Sequence, residues 1–277
     1  MDNICYNGQF FKNNAFSLKI NNRGFQYGDS FFETIKCYKG VPFFFEEHYF
    51  RIAASFCILK MNTPPTFNME SLQLLIQELL MQNSLNNDSA RIRISFFRKA
   101  GGYYSPDYND VNFIIESITL NSHNYQLNNP GLIAGLYKDN YLPKHTIGNI
   151  KSNNKIVNVL ASIFARSMGY DDCILINQDK SVVESISGNL FIVHDGAIKT
   201  TALEQGCVDG VLRKILLNNK NLLIKECTIS ISDLFNADEV FFTNVISGVR
   251  WVSSINNNNY SNDMSKKIIK LLNENYL

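Results

Sequence analysis

The sequence lacks a charge imbalance: 26 Lys and Arg stand against 25 Asp and Glu, and no basic cluster occurs. That removes the electrostatic footprint expected of a nucleic-acid or anionic-membrane binder. It also lacks a CxxC pair. Cys5, Cys37, Cys57, Cys173, Cys207 and Cys227 are scattered among mostly apolar neighbours. Neither a disulfide framework nor a metal site is expected from them, and they read as reduced core residues. No apolar run approaches the length of a membrane span, and the opening MDNICYNGQF has neither the basic region nor the apolar stretch of a signal peptide. The expectation is a cytoplasmic protein. No internal repeat is present, and the asparagine clusters at 86–87 and 256–259 are too short to be more than turns. What is there is a 277-residue chain that is 45% hydrophobic and 12% aromatic, enough for a large core in one or two domains.

Periodicity divides the chain. Segment 4–18 reads as a hairpin, and 31–38 as a strand ending at the Lys39-Gly40 turn. In 46–59 the residues Tyr49, Ile52, Ala53, Phe56 and Leu59 share one helical face, as do Leu72, Leu75, Ile76 and Leu79 in 69–82. Strict alternation over 90–98 makes a strand with Arg91, Arg93 and Ser95 on one side. The stretch 121–131 has little periodicity and reads as a linker. It separates a smaller N-terminal α/β domain, 1–120, from a larger C-terminal domain, 132–277.

Three groups of polar residues stand out against that pattern. Tyr27 and Glu33 lie beside Gly24 and Gly28, where the backbone admits close approach, and are pocket candidates; Lys36 reads as a residue on a solvated face. Arg51, off the apolar stripe of its helix, suits either phosphate oxygens or a salt bridge to Glu47 one turn earlier. Gly206 to Arg213 opens a helix whose first N–H groups suit a phosphate. The third group is Lys151, placed at the entrance of a helix with Ile156, Val159, Leu160, Ile163 and Phe164 on one face, together with Glu184 at the end of an apolar strand. A lysine and a carboxylate brought together suit amine chemistry, with the lysine as a carbonyl nucleophile and the acid as partner of a pyridinium nitrogen. Spacing alone favours a solvated lysine and a surface acid.

The motifs RGFQYGDSFFET (23–34), EEHYFRI (46–52), KSNN (151–154), ESISGNLF (184–191), GCVDGVLR (206–213) and FFTNVISGV (241–249) run in order along nearly the whole chain. Together they resemble the class IV aminotransferase family, the fold-type IV pyridoxal-phosphate enzymes. The resemblance implies a two-domain α/β fold like that of D-amino-acid aminotransferase, a homodimer, and pyridoxal 5'-phosphate as cofactor. It implies that Lys151 links to the cofactor and moves the proton, and that Glu184 meets the pyridine nitrogen. Arg51, with the backbone N–H groups of Val211 and Leu212, is implied for the phosphate, and Asn244, within Thr243 to Ile246, for the opposite wall. Leu212 stands where many relatives have a threonine, so only its backbone contact remains. Phe32-Glu33-Thr34-Ile35-Lys36 is similar to the lyases rather than to the FEG(I/M)R of branched-chain enzymes. The loop from Arg98 to Pro106 is similar to the glycine-rich loop of aminodeoxychorismate lyases, with Tyr27, Arg91, Arg93, Arg98 and Tyr104 as substrate-binding candidates. The expected activity is conversion of 4-amino-4-deoxychorismate to 4-aminobenzoate and pyruvate in folate synthesis. The alternative is amino transfer from branched-chain or D-amino acids to a 2-oxo acid.

Overall fold

A computed structural model describes residues 2–65 and 67–276, in two units. The first comprises residues 1–123 together with 151–154, the second 124–150 together with 155–277.

The first unit is built on a six-stranded sheet in the order β2-β1-β6-β5-β3-β4. Its strands are β1 (Asn3–Tyr6), β2 (Gln9–Lys12), β3 (Ser30–Tyr38), β4 (Val41–Pro42), β5 (Ser89–Arg98) and β6 (Val111–Leu120). The one-turn helix α1 (Arg23–Tyr27) precedes β3, and α2 (Phe45–Ile58) and α3 (Met69–Gln82) lie between β4 and β5. The period-2 pattern of β3 sorts its side chains: Phe31, Ile35 and Cys37 are buried, and Phe31 meets Phe56 of α2 edge-on and stacks on Phe96 of β5. Phe67 joins the same ring cluster, where each aromatic pair adds roughly 0.5–1.5 kcal/mol beyond its buried area. Phe32, Thr34 and Lys36 point to the other face, opposite Ser95, Arg93 and Arg91 in register.

In the second unit the strands are β7 (Leu132–Leu142), β8 (Asp172–Asn177), β9 (Val182–Ser185), β10 (Asn189–His194), β11 (Ala197–Thr201), β12 (Ile224–Cys227), β13 (Glu239–Asn244), β14 (Gly248–Ile255) and β15 (Asn258–Asn259). They run in the order β12-β11-β10-β13-β14-β7-β8-β9, with β15 on β14. β9 also pairs with β10, through Glu184 and Asn189, so part of the path closes on itself. The helices are α4 (Ile156–Met168), α5 (Val211–Leu217), α6 (Ile231–Phe235) and α7 (Asp263–Tyr276). Every residue of β8 and β9 is buried, as strands covered on both faces require. Ile174, Ile176, Val182, Leu190 and Val240 pack to one side of this sheet, and Cys173, Leu175 and Val183 meet Ala161 and Ala165 of α4 on the other. α4 therefore turns small residues inward. The stripe Ile156, Val159, Leu160, Ile163 that reveals the helix in the sequence is exposed. α4 stops where the sequence predicts, at Gly169, whose φ of 74° is the left-handed cap that glycine supplies.

Candidate functional site

Lys151 is not at a helix entrance. Helix α4 begins at Ile156, and residues 151–154 leave the second unit to pair with the open edge of β3 in the first. Phe32 N–H donates to the Lys151 carbonyl at 2.9 Å, Phe31 bridges to Ser152, and Asn153 N–H donates to the Ser30 carbonyl at 3.1 Å. Gly28 makes room for this segment: its φ is +63°, and a Cβ there would lie 2.1 Å from Asn154 Oδ1. The backbone thus fixes Lys151 beside Phe32, with Nζ 4.7 Å from the ring centroid. The guanidinium of Arg93 lies 3.8 Å from the centroid of that same ring.

The face of β3 and β5 that carries Phe32 is cationic. Thr34 stands opposite Arg93 and Lys36 opposite Arg91, while Glu116 of β6 stands opposite Arg93. Lys36 is buried rather than solvated, and burial pushes its ammonium down to about 8. Burial also lowers Arg93, with Glu116 opposing that shift and Arg91 adding to it. Like charges directly across a strand pair are unfavourable, so this face is suited to an anion.

Beneath β3, on the helix side, the charges are compensated. Arg51 of α2 pairs with Glu33 of β3: Nε donates to Oε2 at 2.9 Å and Nη2 to Oε1 at 2.5 Å. Thr34 N–H donates to Oε1 at 2.7 Å, and His48 Nδ1 lies 3.1 Å from the same oxygen. Glu33 is buried, which opposes its charge, yet Arg51 and His48 outweigh burial and hold its carboxyl well below the usual range. His48 is fully buried; desolvation, with Arg51 and Lys151 nearby, keeps its imidazole below the ordinary value against the pull of Glu33. Sequence reasoning missed this group, because Glu33 and His48 are joined to Arg51 only through the fold.

Arg98, Tyr27 and Tyr104 occupy a different part of the first unit. Arg98 is buried with four of its five donors engaged: Nε on Asp29, Nη1 on the Lys60 carbonyl and Asn109, and Nη2 on the Leu59 carbonyl. It anchors the start of the loop that the sequence likens to a substrate loop. Arg23 holds the loop's middle through the carbonyls of Gly101, Gly102 and Tyr103. Tyr104 is 93% exposed, its ring 5.8 Å from that of Tyr27, which in turn lies under Arg23.

In the second unit, Glu184 is buried in β9 and its Oε2 accepts from Val208 N–H at 2.9 Å, so an amide on the loop before α5 fixes the carboxylate. Gly210 precedes that helix; a Cβ there would lie 1.9 Å from Asn189 Oδ1, and Asn189 Nδ2 donates to the Val208 carbonyl at 2.7 Å. Val211 and Leu212 begin α5, whose first turn has neither an acidic residue nor a side-chain cap. Asn244 spends Oδ1 on the N–H groups of Ile246 and Ser247 at 3.0 and 2.8 Å, shaping the turn after β13. Beside it, the buried Thr243 hydroxyl has no hydrogen-bond partner among the described residues. Of the six cysteines all are free, and Cys57, expected in a core, is exposed.

Residues 30–255 match the family model for amino-transferase class IV. A Methanocaldococcus jannaschii protein provisionally named a branched-chain-amino-acid aminotransferase is 28% identical, over 99% of this chain and 94% of its own length. An aminodeoxychorismate lyase of Vibrio harveyi is 29% identical, over 86% of this chain and 87% of its own. The fold is that of the branched-chain aminotransferase of Thermoproteus uzoniensis, with a TM-score of 0.86 at 22% identity over 97% of this chain and 92% of that one. Pyridoxal phosphate, the cofactor of such enzymes, asks for an amine, phosphate donors and an acid for its ring nitrogen. The first unit holds an amine and a guanidinium; the second holds an amide-anchored carboxylate, an uncapped helix start and the orphaned Thr243 hydroxyl. Residue types and local settings both suit the cofactor, and the chain belongs to the class IV aminotransferase family, whose members are pyridoxal-phosphate-dependent enzymes.

Proposed function

We propose that this enzyme is a lyase that converts 4-amino-4-deoxychorismate to 4-aminobenzoate and pyruvate, a step of folate synthesis. The observation that carries the reading is the face of β3 and β5 beside Lys151, where Lys36, Arg91 and Arg93 outnumber the one carboxylate, Glu116. A substrate with two carboxylates answers that excess, whereas a branched-chain amino acid brings one carboxylate and an apolar side chain. The lyase of Vibrio harveyi is similar in sequence over most of its length.

Pyridoxal phosphate, when bound, supplies the electron sink for the pair released at the nitrogen-bearing carbon. In this reading Lys151 Nζ would hold the cofactor and would take the proton from that carbon. The ring becomes aromatic as the C–O bond to the enolpyruvyl group breaks, and the departing enolpyruvate takes up a proton to become pyruvate. Glu184, held by Val208 N–H, would meet the ring nitrogen. Arg51 and the N–H groups of Val211 and Leu212 would hold the phosphate, and Asn244 would shape the wall. Arg93, stacked on Phe32, is assigned to a substrate carboxylate, with Arg91 next along the strand. Arg98 is assigned to shaping the loop, since its donors are engaged; Tyr27 and Tyr104 line the substrate side.

The second reading, an aminotransferase for branched-chain or D-amino acids with a 2-oxo acid acceptor, is favoured by the Methanocaldococcus relative, which matches 99% of this chain. Incubation with 4-amino-4-deoxychorismate separates the two. Pyruvate and 4-aminobenzoate released in equal amounts support the lyase; neither product, with amino transfer to 2-oxoglutarate instead, replaces it with the aminotransferase.

We place the enzyme in the cytoplasm as a homodimer. The exposed stripe Ile156, Val159, Leu160 and Ile163 on α4 is the kind of surface a second copy covers. No helix among the described residues is long and apolar enough to cross a membrane.

A further inference from the structure

Glu33 is the one acidic residue on the helix-facing side of β3, set among Phe31, Ile35 and Cys37, all buried. An isolated carboxylate there would carry a large desolvation cost, and the fold offsets it with α2. His48 and Arg51, one turn apart, both reach the same carboxylate. The contact with Arg51 is bidentate and uses one specific edge of the guanidinium, the Nε and Nη2 side. In a planar fork, fixing that edge also fixes the direction of the Nη1 end. A guanidinium on a four-bond side chain otherwise samples many orientations, and an anion-binding arginine that must be oriented at the moment of binding loses affinity to that ordering.

We propose that Glu33 is a positioning residue for Arg51: by clamping the Nε/Nη2 edge from the core of the first unit, it presets the guanidinium for the cofactor phosphate. His48, fully buried, places Nδ1 3.1 Å from the same oxygen. This rests on the reading of Arg51 as a phosphate contact. It goes further by assigning the cofactor's affinity to a strand residue buried behind the arginine.

The test is titration of the apoprotein with pyridoxal phosphate and, separately, with pyridoxal, which lacks the phosphate, read by visible absorbance. Wild type is expected to prefer the phosphorylated form strongly, and Arg51→Ala to lose most of that preference. Glu33→Gln is expected to weaken pyridoxal phosphate roughly tenfold or more, the scale of a hydrogen bond to a charged group, while pyridoxal changes by less than about twofold. The double variant is expected to match Arg51→Ala alone, because the two residues act as one unit. A merely structural Glu33 would weaken both ligands alike and add its effect to that of Arg51→Ala; either result overturns the proposal. Should Glu33→Gln fail to fold, Glu33→Asp keeps the charge but withdraws it by one methylene; a selective loss of pyridoxal phosphate sustains the proposal, and an unchanged preference overturns it. If Arg51→Ala itself keeps the wild-type preference, the phosphate reading of Arg51 fails, and the role of Glu33 fails with it.

Discussion

The two faces of β3 carry charges that are handled in opposite ways. Toward the helices, Glu33 meets Arg51 and His48 at hydrogen-bonding distances, and the group is internally balanced. On the other face, Lys36 stands across from Arg91 and Thr34 across from Arg93, with Glu116 the acid paired in register. One face of β3 thus carries a closed ion pair and the other, together with β5, an excess of cations. The difference separates charges that the fold compensates from like charges set across from one another. A buried pair is costly to break and contributes little when intact, whereas a cationic face costs stability until an anion arrives.

Four substitutions or conditions sharpen that contrast. The largest effect is expected at the strand's edge. Lys151→Ala removes the amine beside Phe32, and turnover should fall by more than about a thousandfold, with loss of the visible absorbance of added cofactor and an unchanged circular dichroism spectrum. Next is the balanced face. Glu33→Ala leaves the partly buried Arg51 without its carboxylate and should cost about 3–5 kcal/mol in urea unfolding. A cost under about 1 kcal/mol would mean that the pair is dispensable. On the cationic face, Arg93→Met should raise KM for a dianionic substrate about 10- to 100-fold with a smaller change in kcat, if, as proposed, it removes a charged contact made equally to substrate and transition state.

The smallest effect is a pH dependence. Burial lowers Lys36 from 10.5 to about 8, so between those values the unfolded chain holds a proton that the folded chain has released. Stability should therefore rise with pH across that window, by about 1–3 kcal/mol. Lys36→Met should flatten the rise and raise stability at pH 7; an unaltered pH profile in that variant would remove Lys36 as its source.

Much of this arrangement is legible in the sequence, for reasons that vary by element. α2 and α3 announce themselves because their apolar residues recur at helical spacing, and α3 spans Met69–Gln82 as predicted. β5 is legible because its alternation is strict. Lys151, Glu184 and Arg51 are marked by the motifs around them. Three other features escape. The pairing of Lys151–Asn154 with β3 is made by backbone groups, which leave no signature in side-chain pattern. Arg51 has Glu47 one turn away in its own helix, but its bidentate partner is a buried acid on the strand beneath. Lys36 looks solvated because a lysine in a strand usually is, and its burial depends on what the fold brings over it. The stripe on α4 shows a further limit of periodicity: it reveals that a helix forms, not which side faces in. There the inward side is made by Asn158, Ala161 and Ala165.

The most direct test of the account counts turnovers with no keto acid present. Purified enzyme loaded with pyridoxal phosphate is given excess 4-amino-4-deoxychorismate, and pyruvate is measured per active site. The account predicts many pyruvates per site, matched by 4-aminobenzoate, because a lyase regenerates its own cofactor link at Lys151 in every cycle. Absence of pyruvate, together with at most one amino group transferred per site until 2-oxoglutarate is added, would contradict it and mark the enzyme as an aminotransferase.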